Sequence, residues 1–284
     1  MDDMDKETVT TLSELLPIIP PPGFHMLVRY VDTLCRLHAV PIVNLSFRCD
    51  DGKILEMDKA ELLHHTRKSI VVQQSSSCLS VIKIGPRALM ERELLIHNIV
   101  DDNSIHIRRC LQAGVIVGVS AGDEKEEEKT PLLFLELEGL GVPLERSLVL
   151  KNETFESYFN QAVLGLQHLH AKGVLHRDMK PSNIMLIDGV IKVNDFDCSC
   201  RLADNTERMR LSVGTAKYQS PFRAKEYTEH DDWISLILTF LSLRMDISNK
   251  EQALSSAMGL SWLPLALKAC ISKAISRASD KHGN

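Results

Sequence analysis

The sequence HRDMKPSNIMLIDGVIKVNDFD, from His176 to Asp197, decides how the rest of this chain is interpreted. It begins with a His-Arg-Asp triplet, places Lys180 two residues after that Asp, and places Asn183 three residues further on. An apolar hairpin pattern follows and ends on a second acid, Asp195. This spacing fits phosphoryl transfer from ATP, a reaction that needs positioning and charge neutralisation more than covalent work by the protein.

Each polar residue of this stretch has a role in such a reaction. Asp178 would accept or orient the proton of the attacking hydroxyl, and Lys180 would lie against the transferred phosphoryl group. Asn183 and Asp195 carry the oxygen ligands that Mg²⁺ prefers. The sequence therefore predicts two catalytic residues, two metal ligands, and ATP with Mg²⁺ as cofactors, with Mn²⁺ as the alternative ion.

These residues resemble the eukaryotic-type protein kinase superfamily, and the resemblance extends from Leu62 to the C-terminus. It implies an α+β, bilobal fold with a small β-rich N-lobe at residues 61–136 and a larger helical C-lobe at residues 139–284. A D-D-x-x-S-L pattern from Asp231, with G-T-A-K-Y-x-S before it, is most similar to the casein kinase I branch. The same resemblance makes Asp232 the anchor of the catalytic loop.

Residues 1–60 are predicted to form an N-terminal extension before the kinase domain. A proline run marks a stiff linker, and apolar spacing predicts an amphipathic helix over residues 24–39. Two strands joined at Asp51-Gly52 are expected after it. The helix would pack on the N-lobe or, as the alternative, dock a partner protein.

Residues that bind ATP in the N-lobe are implied by the resemblance. Ser-Val-Ile-Lys resembles the family's V-A-I-K, so Lys83 would pair the α- and β-phosphates. Its acidic partner comes from helix 87–100, where Glu91 and Glu93 compete; Glu93 is preferred because Ile96 and Val100 recur behind it at helical spacing. The same register makes His97 a packed histidine. The other ATP-binding positions are Leu63, Val71, Val81 and Met185, with the main chain of Glu136 and Glu138 facing adenine.

Three positions depart from the family pattern. Residues 63–71 replace the glycine-rich loop without a single glycine, which leaves Arg67 and Lys68 as point charges for phosphate. Asp197 stands where D-F-G has glycine, and could hold Mg²⁺ or repel ATP. Phe222 stands where the activation segment normally ends on Glu.

Residues 211–221, LSVGTAKYQSP, resemble the end of an activation segment. The resemblance implies that Thr215 bonds to Asp178 and Lys180. Arg177, before the catalytic Asp, suggests a basic pocket for a phosphate, with Ser212 as the best-placed acceptor and Thr206 second.

Composition limits the other function classes. The net charge of −5 gives no reason to expect nucleic acid as a partner. Seven Cys without a C-x-x-C pair, and an acidic N-terminus, predict reduced thiols in a cytoplasmic or nuclear protein. The most apolar run, from Trp233 to Leu243, is too short to span a bilayer.

Three functions remain open on the sequence. The favoured one is an ATP- and Mg²⁺-dependent Ser/Thr protein kinase acting on a protein substrate. The second is a pseudokinase that serves as a nucleotide-binding or scaffold module, supported by the three departures. The third, a small-molecule kinase, is disfavoured because such enzymes generally lack Lys180 and the G-T-x-x-Y segment.

Overall fold

The computed structural model of the protein describes most of the chain from residue 42 onward. The described residues are 10–11, 42–49, 54–65, 69–74, 80–101, 104–115, 132–149, 151–208, 213–222 and 226–281. Two compact units divide the chain: Met1–Leu95 with Arg109–Leu140, and Ile96–Arg108 with Gly141–Asn284. The predicted helix 24–39, the Asp51-Gly52 turn, Arg67, Lys68 and Ser212 lie outside the described residues.

The first unit is built on one seven-stranded sheet. Its strands are β1 (Thr10–Thr11), β2 (Ile42–Cys49), β3 (Ile54–His65), β4 (Ile70–Gln74), β5 (Ser80–Pro86), β6 (Cys110–Val115) and β7 (Leu132–Glu138). They run in the order β1-β2-β3-β4-β5-β7-β6, and β2 also pairs with β6, which closes the last six strands into a ring. The predicted pair of strands before residue 60 is therefore part of this sheet, and β3 runs across the predicted boundary at residues 60 and 61.

β5 is a central strand of this ring. It pairs with β4 on one side and β7 on the other, and every residue from Val81 to Ile84 is buried. A strand that is covered on both faces consists mostly of apolar residues. Lys83 is the single charged residue from Val81 to Ile84, and because burying an unpaired charge is costly, it requires a partner of opposite charge inside the unit.

Helices dominate the second unit. They are α2 (Asn152–Ala171), α3 (Asn205–Arg208), α4 (Glu229–Ser242), α5 (Lys250–Ala257) and α6 (Leu265–Lys281), while α1 (Arg87–Val100) belongs to the first unit up to Leu95. α4 is buried on all sides from Ile234 to Leu241, as expected of a helix without a polar face. Phe155 and Phe159 of α2 meet Phe240 of α4 edge to face at 5.4 and 5.1 Å.

Short strands in the second unit flank the predicted catalytic loop and the segment that contains Asp195. β8 (Val142–Pro143), β10 (Ile184–Ile187) and β11 (Val190–Val193) form one small sheet, and β9 (Val174–Leu175) pairs with β12 (Cys200–Arg201). The predicted α+β content is confirmed. Among the described residues, no helix is both long and apolar enough to cross a membrane.

Candidate active site

Asp232 anchors the loop that carries the predicted catalytic residues. Its buried carboxylate accepts the main-chain N–H groups of His176 and Arg177, both at 2.8 Å. Arg177 has a φ of 70°, a left-handed conformation that a non-glycine residue adopts only when its surroundings enforce it. Two charge-assisted hydrogen bonds to a fixed carboxylate supply that enforcement, as the resemblance implied.

His170 and Tyr227 complete the surroundings of Asp232. His170 Nε2 donates to one carboxylate oxygen at 3.0 Å, and the Tyr227 hydroxyl donates to the other at 2.9 Å. Burial alone would raise the pKa of Asp232, but the hydrogen bond and charge of His170 and the N–H of Arg177 outweigh it and hold this pKa below its ordinary value. Neither partner is predicted from the sequence: His170 lies 62 positions from Asp232, and Tyr227, although only five positions away, belongs to no motif of the sequence analysis.

His176 connects the catalytic loop to the strand that follows it. Its Nδ1 accepts the main-chain N–H of Asp178 at 3.2 Å, so the ring proton must lie on Nε2. Nε2 then donates to the carbonyl oxygen of Asn194 at 3.1 Å. One neutral imidazole thereby fixes the spacing between Asp178 and the residue before Asp195.

The carboxylate of Asp178 is held on both oxygens. Lys180 Nζ donates to Oδ2 at 2.7 Å, and the main-chain N–H of Thr215 donates to Oδ1 at 2.7 Å. Lys180 also lies 3.4 Å from the Thr215 hydroxyl. The expected contacts among Asp178, Lys180 and Thr215 are all present in the structure, and they leave the carboxylate a single orientation.

Lys180 remains a cation in this environment. Burial lowers its pKa, but the hydrogen bond and charge of Asp178, helped by the charges of Asp195 and Asp197, outweigh burial and raise this pKa above its ordinary value. The side chain therefore presents a fixed positive charge beside Asp178 at neutral pH. Such a charge suits a group that stabilises negative charge on a reacting phosphate.

The β10–β11 hairpin positions the two predicted metal ligands. Asp188 and Gly189 both have positive φ values, 49° and 80°, as a tight two-residue hairpin turn requires. The register pairs Ile184 with Val193, so Asn183 and Asp195 flank the open end of the hairpin. A main-chain bond from Asn194 to Asn183, 2.9 Å long, ties the two loops together there.

The donor set at this end of the hairpin suits a hard cation. Asn183 Nδ2 donates to the main-chain oxygen of Asp178 at 2.9 Å, which directs the amide nitrogen into the loop and leaves Oδ1 as the ligand atom. One amide oxygen and one carboxylate, completed by phosphate oxygens and water, are typical of Mg²⁺. Among the described residues, no cluster of three or more His, Cys, Asp or Glu forms an all-protein metal site.

Phe196 joins the hairpin to the core through edge-to-face contacts with two histidine rings. His97 meets it edge to face at 4.9 Å, and His176 meets it at 5.7 Å. His97 is 2% exposed, which agrees with its prediction as a packed histidine. The residue after Asp195 is therefore held by packing in a buried position.

Lys83 and Glu93 form a buried ion pair in the first unit. Lys83 Nζ lies 2.9 and 2.8 Å from the two carboxylate oxygens of Glu93, and both side chains are almost fully buried. Glu91 instead pairs with Arg87 at the surface, 2.6 Å away. The structure thus decides between the two acids in favour of Glu93.

The remaining predicted ATP-binding residues have varied environments. Val71 and Val81 belong to one apolar cluster of the first unit, whereas Leu63 is 38% exposed; Met185 is half-buried in the second unit. Glu136 accepts a hydrogen bond from Ser80 at 2.6 Å.

One main-chain group of the residues predicted to face adenine is engaged elsewhere. The main-chain N–H of Glu138 donates to the Arg109 carbonyl at 3.0 Å, so it is removed from adenine recognition by pairing within the first unit. The carboxylate of Glu138 in turn accepts the Arg109 N–H at 3.1 Å. A role of Glu138 in binding adenine stays a prediction, and it could not use the main-chain N–H of Glu138.

Residues 195–222 are here called the activation segment, and two of the contacts that its described residues make with the catalytic loop bear on the orientation of that loop. Gly214, with a φ of 90°, lies so close to the Arg177 carbonyl oxygen that a Cβ would collide with it, which lets Thr215 reach Asp178. The second contact was not predicted: Glu207 Oε2 lies 3.5 Å from Arg177 Nη1, where the sequence suggested a phosphate. Phe222 packs as a partly buried apolar residue against the core.

The comparisons with known proteins identify the family of the chain. The profile of the family described as "Protein kinase domain" matches residues 87–257, which is more than half of the chain. The chain belongs to the protein kinase domain family.

Two curated relatives illustrate the similarity. An Aurora kinase of Schizosaccharomyces pombe is 40% identical over 121 residues, which are 40% of this chain and 34% of that protein. A calcium/calmodulin-dependent protein kinase kinase of Caenorhabditis elegans is 25% identical over 199 residues, which are 66% of this chain and 35% of that protein. The chain thus spans about a third of the length of these two relatives, and its similarity to the casein kinase I branch stays a prediction.

A solved structure supports the fold independently. A chain in the structure of the CAK complex of Chaetomium thermophilum bound to ATP-gamma-S superposes with a TM-score of 0.51 at 18% identity, covering 75% of this chain and 67% of that chain. At this identity the likeness concerns the fold, and it confirms the protein-kinase-like fold predicted from the sequence.

Proposed function

We propose that the chain is a protein kinase that transfers the γ-phosphoryl group of Mg·ATP to Ser or Thr hydroxyls of a protein substrate. The observation that carries this proposal is the carboxylate of Asp178, held on one oxygen by Lys180 and on the other by Thr215. A disused loop has no physical need for a buried acid bound by a lysine that keeps its charge.

Asp178 would act as the base that receives the hydroxyl proton. Because both of its oxygens are fixed by donors from Lys180 and Thr215, it would meet an incoming hydroxyl in one orientation without reorganisation. Lys180 would stay protonated through the reaction and balance negative charge spreading over the transferred phosphoryl group. The Thr215 hydroxyl, 3.4 Å from Lys180, would keep that lysine in place.

Asn183 and Asp195 would hold the divalent ion, Mg²⁺ or Mn²⁺. The bound ion supplies neutralisation of the β- and γ-phosphate oxygens. The chain contributes the direction of the Asn183 amide, fixed by Asp178, and the placement of Asp195 after the hairpin. Lys83, oriented by Glu93, would contact the α- and β-phosphates. Apolar contacts with the nucleotide are proposed for Leu63, Val71, Val81 and Met185.

A nucleotide-binding scaffold without transfer activity is the second candidate. Asp197 is a specific observation in its favour, because a third acid near Asp178 and Asp195 repels the phosphates of ATP unless an ion intervenes. The Glu138 N–H, engaged with Arg109, removes one predicted contact with adenine. A scaffold would bind nucleotide, or none, and leave its own hydroxyls and those of added protein unmodified.

Intact-mass measurement of autophosphorylation separates these functions. Purified protein is incubated with Mg·ATP or Mn·ATP, and the wild type is compared with Asp178→Asn and with Asp188→Asn. Asp188 makes a matched control, because it lies in an exposed hairpin turn whose positive φ suits Asn equally well. We expect the wild type and Asp188→Asn to gain phosphate, and Asp178→Asn to react more slowly by about a hundred- to a thousandfold.

Two outcomes would contradict the proposal. Equal phosphate gain by Asp178→Asn and the wild type would place the activity elsewhere in the preparation. No gain by the wild type, together with an unfolding temperature that Mg·ATP shifts, would support the scaffold instead.

A further inference from the structure

We propose that Glu207 is a positioning residue: it supplies, from the chain itself, the negative charge that fixes Arg177 and the activation segment. Phosphoryl transfer would then not depend on phosphorylation of that segment. The inference rests on the proposed kinase function, and it concerns a residue that the sequence did not single out.

The first support is the burial of Arg177. Its side chain is 1% exposed, and its guanidinium lies 3.5 Å from a carboxylate oxygen of Glu207, whose side chain is 17% exposed. The guanidinium also lies over the Tyr227 ring at 5.9 Å. Burying a charged group is costly unless an opposite charge compensates it, so Glu207 is a fixed element of this environment.

The second support is the attachment of α3, the turn that carries Glu207. The Glu207 N–H donates to Asp204 Oδ1 at 3.1 Å. The next residue, Arg208, donates to the carbonyl oxygens of Leu202 and Tyr227, both at 3.3 Å. Its own carbonyl accepts the Tyr227 N–H at 2.8 Å. The carboxylate of Glu207 is thus presented to Arg177 from a turn secured on both sides.

The third support is the short path from Arg177 to the reacting groups. Arg177 directly precedes Asp178, and its carbonyl lies against Gly214, the residue before Thr215. Displacement of the Arg177 side chain would therefore disturb the Thr215–Asp178 bond. A phosphate on Ser212 or Thr206 that approached Arg177 would meet the like charge of Glu207, so phosphorylation would compete with this pair instead of completing the pocket.

The test uses the full chain after phosphatase treatment, with intact mass confirming that no phosphate remains. ADP release from Mg·ATP is measured with dephosphorylated casein as acceptor, and hydrogen exchange is measured over residues 213–222. We expect the dephosphorylated wild type to keep its kcat within about twofold. We expect Glu207→Gln to lower kcat about tenfold with KM for ATP unchanged, and Glu207→Asp to restore most of it, because it keeps the charge.

Glu226→Gln is the matched control. Glu226 pairs with Arg208 at 2.8 Å, but its side chain is 45% exposed, and Arg208 keeps its carbonyl acceptors when the charge is removed. This variant should stay within about twofold of the wild type in kcat and exchange, whereas Glu207→Gln should exchange faster over residues 213–222.

The results that overturn the inference are distinct from failure of the proposed function. A tenfold loss of kcat when wild type is dephosphorylated would show that phosphate, not Glu207, fixes Arg177. Equal behaviour of Glu207→Gln and Glu226→Gln would remove the positioning role. If the wild type releases no ADP at all, the proposed function fails, and hydrogen exchange alone decides whether Glu207 positions residues 213–222.

Discussion

The main-chain N–H of Thr215 donates to Asp178 Oδ1 at 2.7 Å, across 37 positions of sequence. This bond can form because Gly214 adopts a φ of 90° and lies so close to the Arg177 carbonyl oxygen that no side chain would fit between them. The orientation of the candidate base is therefore decided by a residue without a side chain.

Gly214→Ala tests that dependence. The added Cβ would collide with the Arg177 carbonyl oxygen and pull Thr215 away from Asp178, so we expect phosphoryl transfer to fall by at least about tenfold. Gly189→Ala is the control: its φ is 80°, but a Cβ there meets nothing within 4 Å. Similar losses in both variants, measured as initial rates of ADP release, would mean that backbone strain alone is responsible.

Lys83→Met should destabilise the protein far more than loss of a surface pair. The substitution leaves Glu93 buried without its cation, and breaking a buried pair in this way costs about 3–5 kcal/mol. Arg87→Met, which breaks the exposed pair with Glu91, should cost less than about 1 kcal/mol. Urea unfolding measures both, and a Lys83→Met/Glu93→Leu double variant should recover much of the loss. Equal costs for the two single variants would contradict the geometry.

Asp232→Asn should loosen the catalytic loop and change the acid stability of the protein. An amide cannot accept all four donors of the native site, so we expect a loss of at least about 2 kcal/mol in the free energy of unfolding at pH 7.

The pH dependence of Asp232 has a defined sign. Its pKa is lower in the folded state, so its contribution is fully present above the ordinary carboxyl value of 3.8 and disappears as the pH falls through the folded pKa. Urea unfolding at several pH values should therefore show a smaller difference between wild type and Asp232→Asn below that range. A constant difference down to the most acidic pH would contradict the assigned shift.

Asn183→Ala should weaken binding of the divalent ion without unfolding the protein. We expect the Mg²⁺ concentration needed for half of the Mg·ATP-dependent shift in unfolding temperature to rise by about ten- to a hundredfold. Asn160→Ala, the same substitution at an exposed position of α2, should leave this concentration unchanged. An unchanged Mg²⁺ requirement in Asn183→Ala would exclude Asn183 as a ligand.

The catalytic loop could be predicted because its residues are close together along the chain. Asp178, Lys180 and Asn183 fall within six consecutive residues, so one short loop keeps them close together whatever the rest of the fold. Glu93 was chosen over Glu91 by helical periodicity, since Ile96 and Val100 mark the buried face of α1. Local pattern was sufficient in both cases.

The unpredicted contacts join residues whose separation the sequence does not encode. His170 reaches Asp232 across 62 positions, and Glu207 reaches Arg177 only because α3 turns back toward the loop. The engagement of the Glu138 N–H with Arg109 likewise depends on tertiary placement, since adenine recognition by main chain leaves no residue-type signal.

The pairing of β2 with β6 has a practical consequence for anyone who wishes to shorten this protein. A fragment that starts at residue 61 would cut β3 in the middle and discard β2 entirely, which would open the ring of strands and expose the edges of β6 and of the retained part of β3, while β4 keeps most of its pairing with residues 61–65. Exposed strand edges pair with strands of other molecules. We therefore expect the fragment that starts at residue 61 to aggregate, and a fragment that starts before Ile42 to remain dispersed.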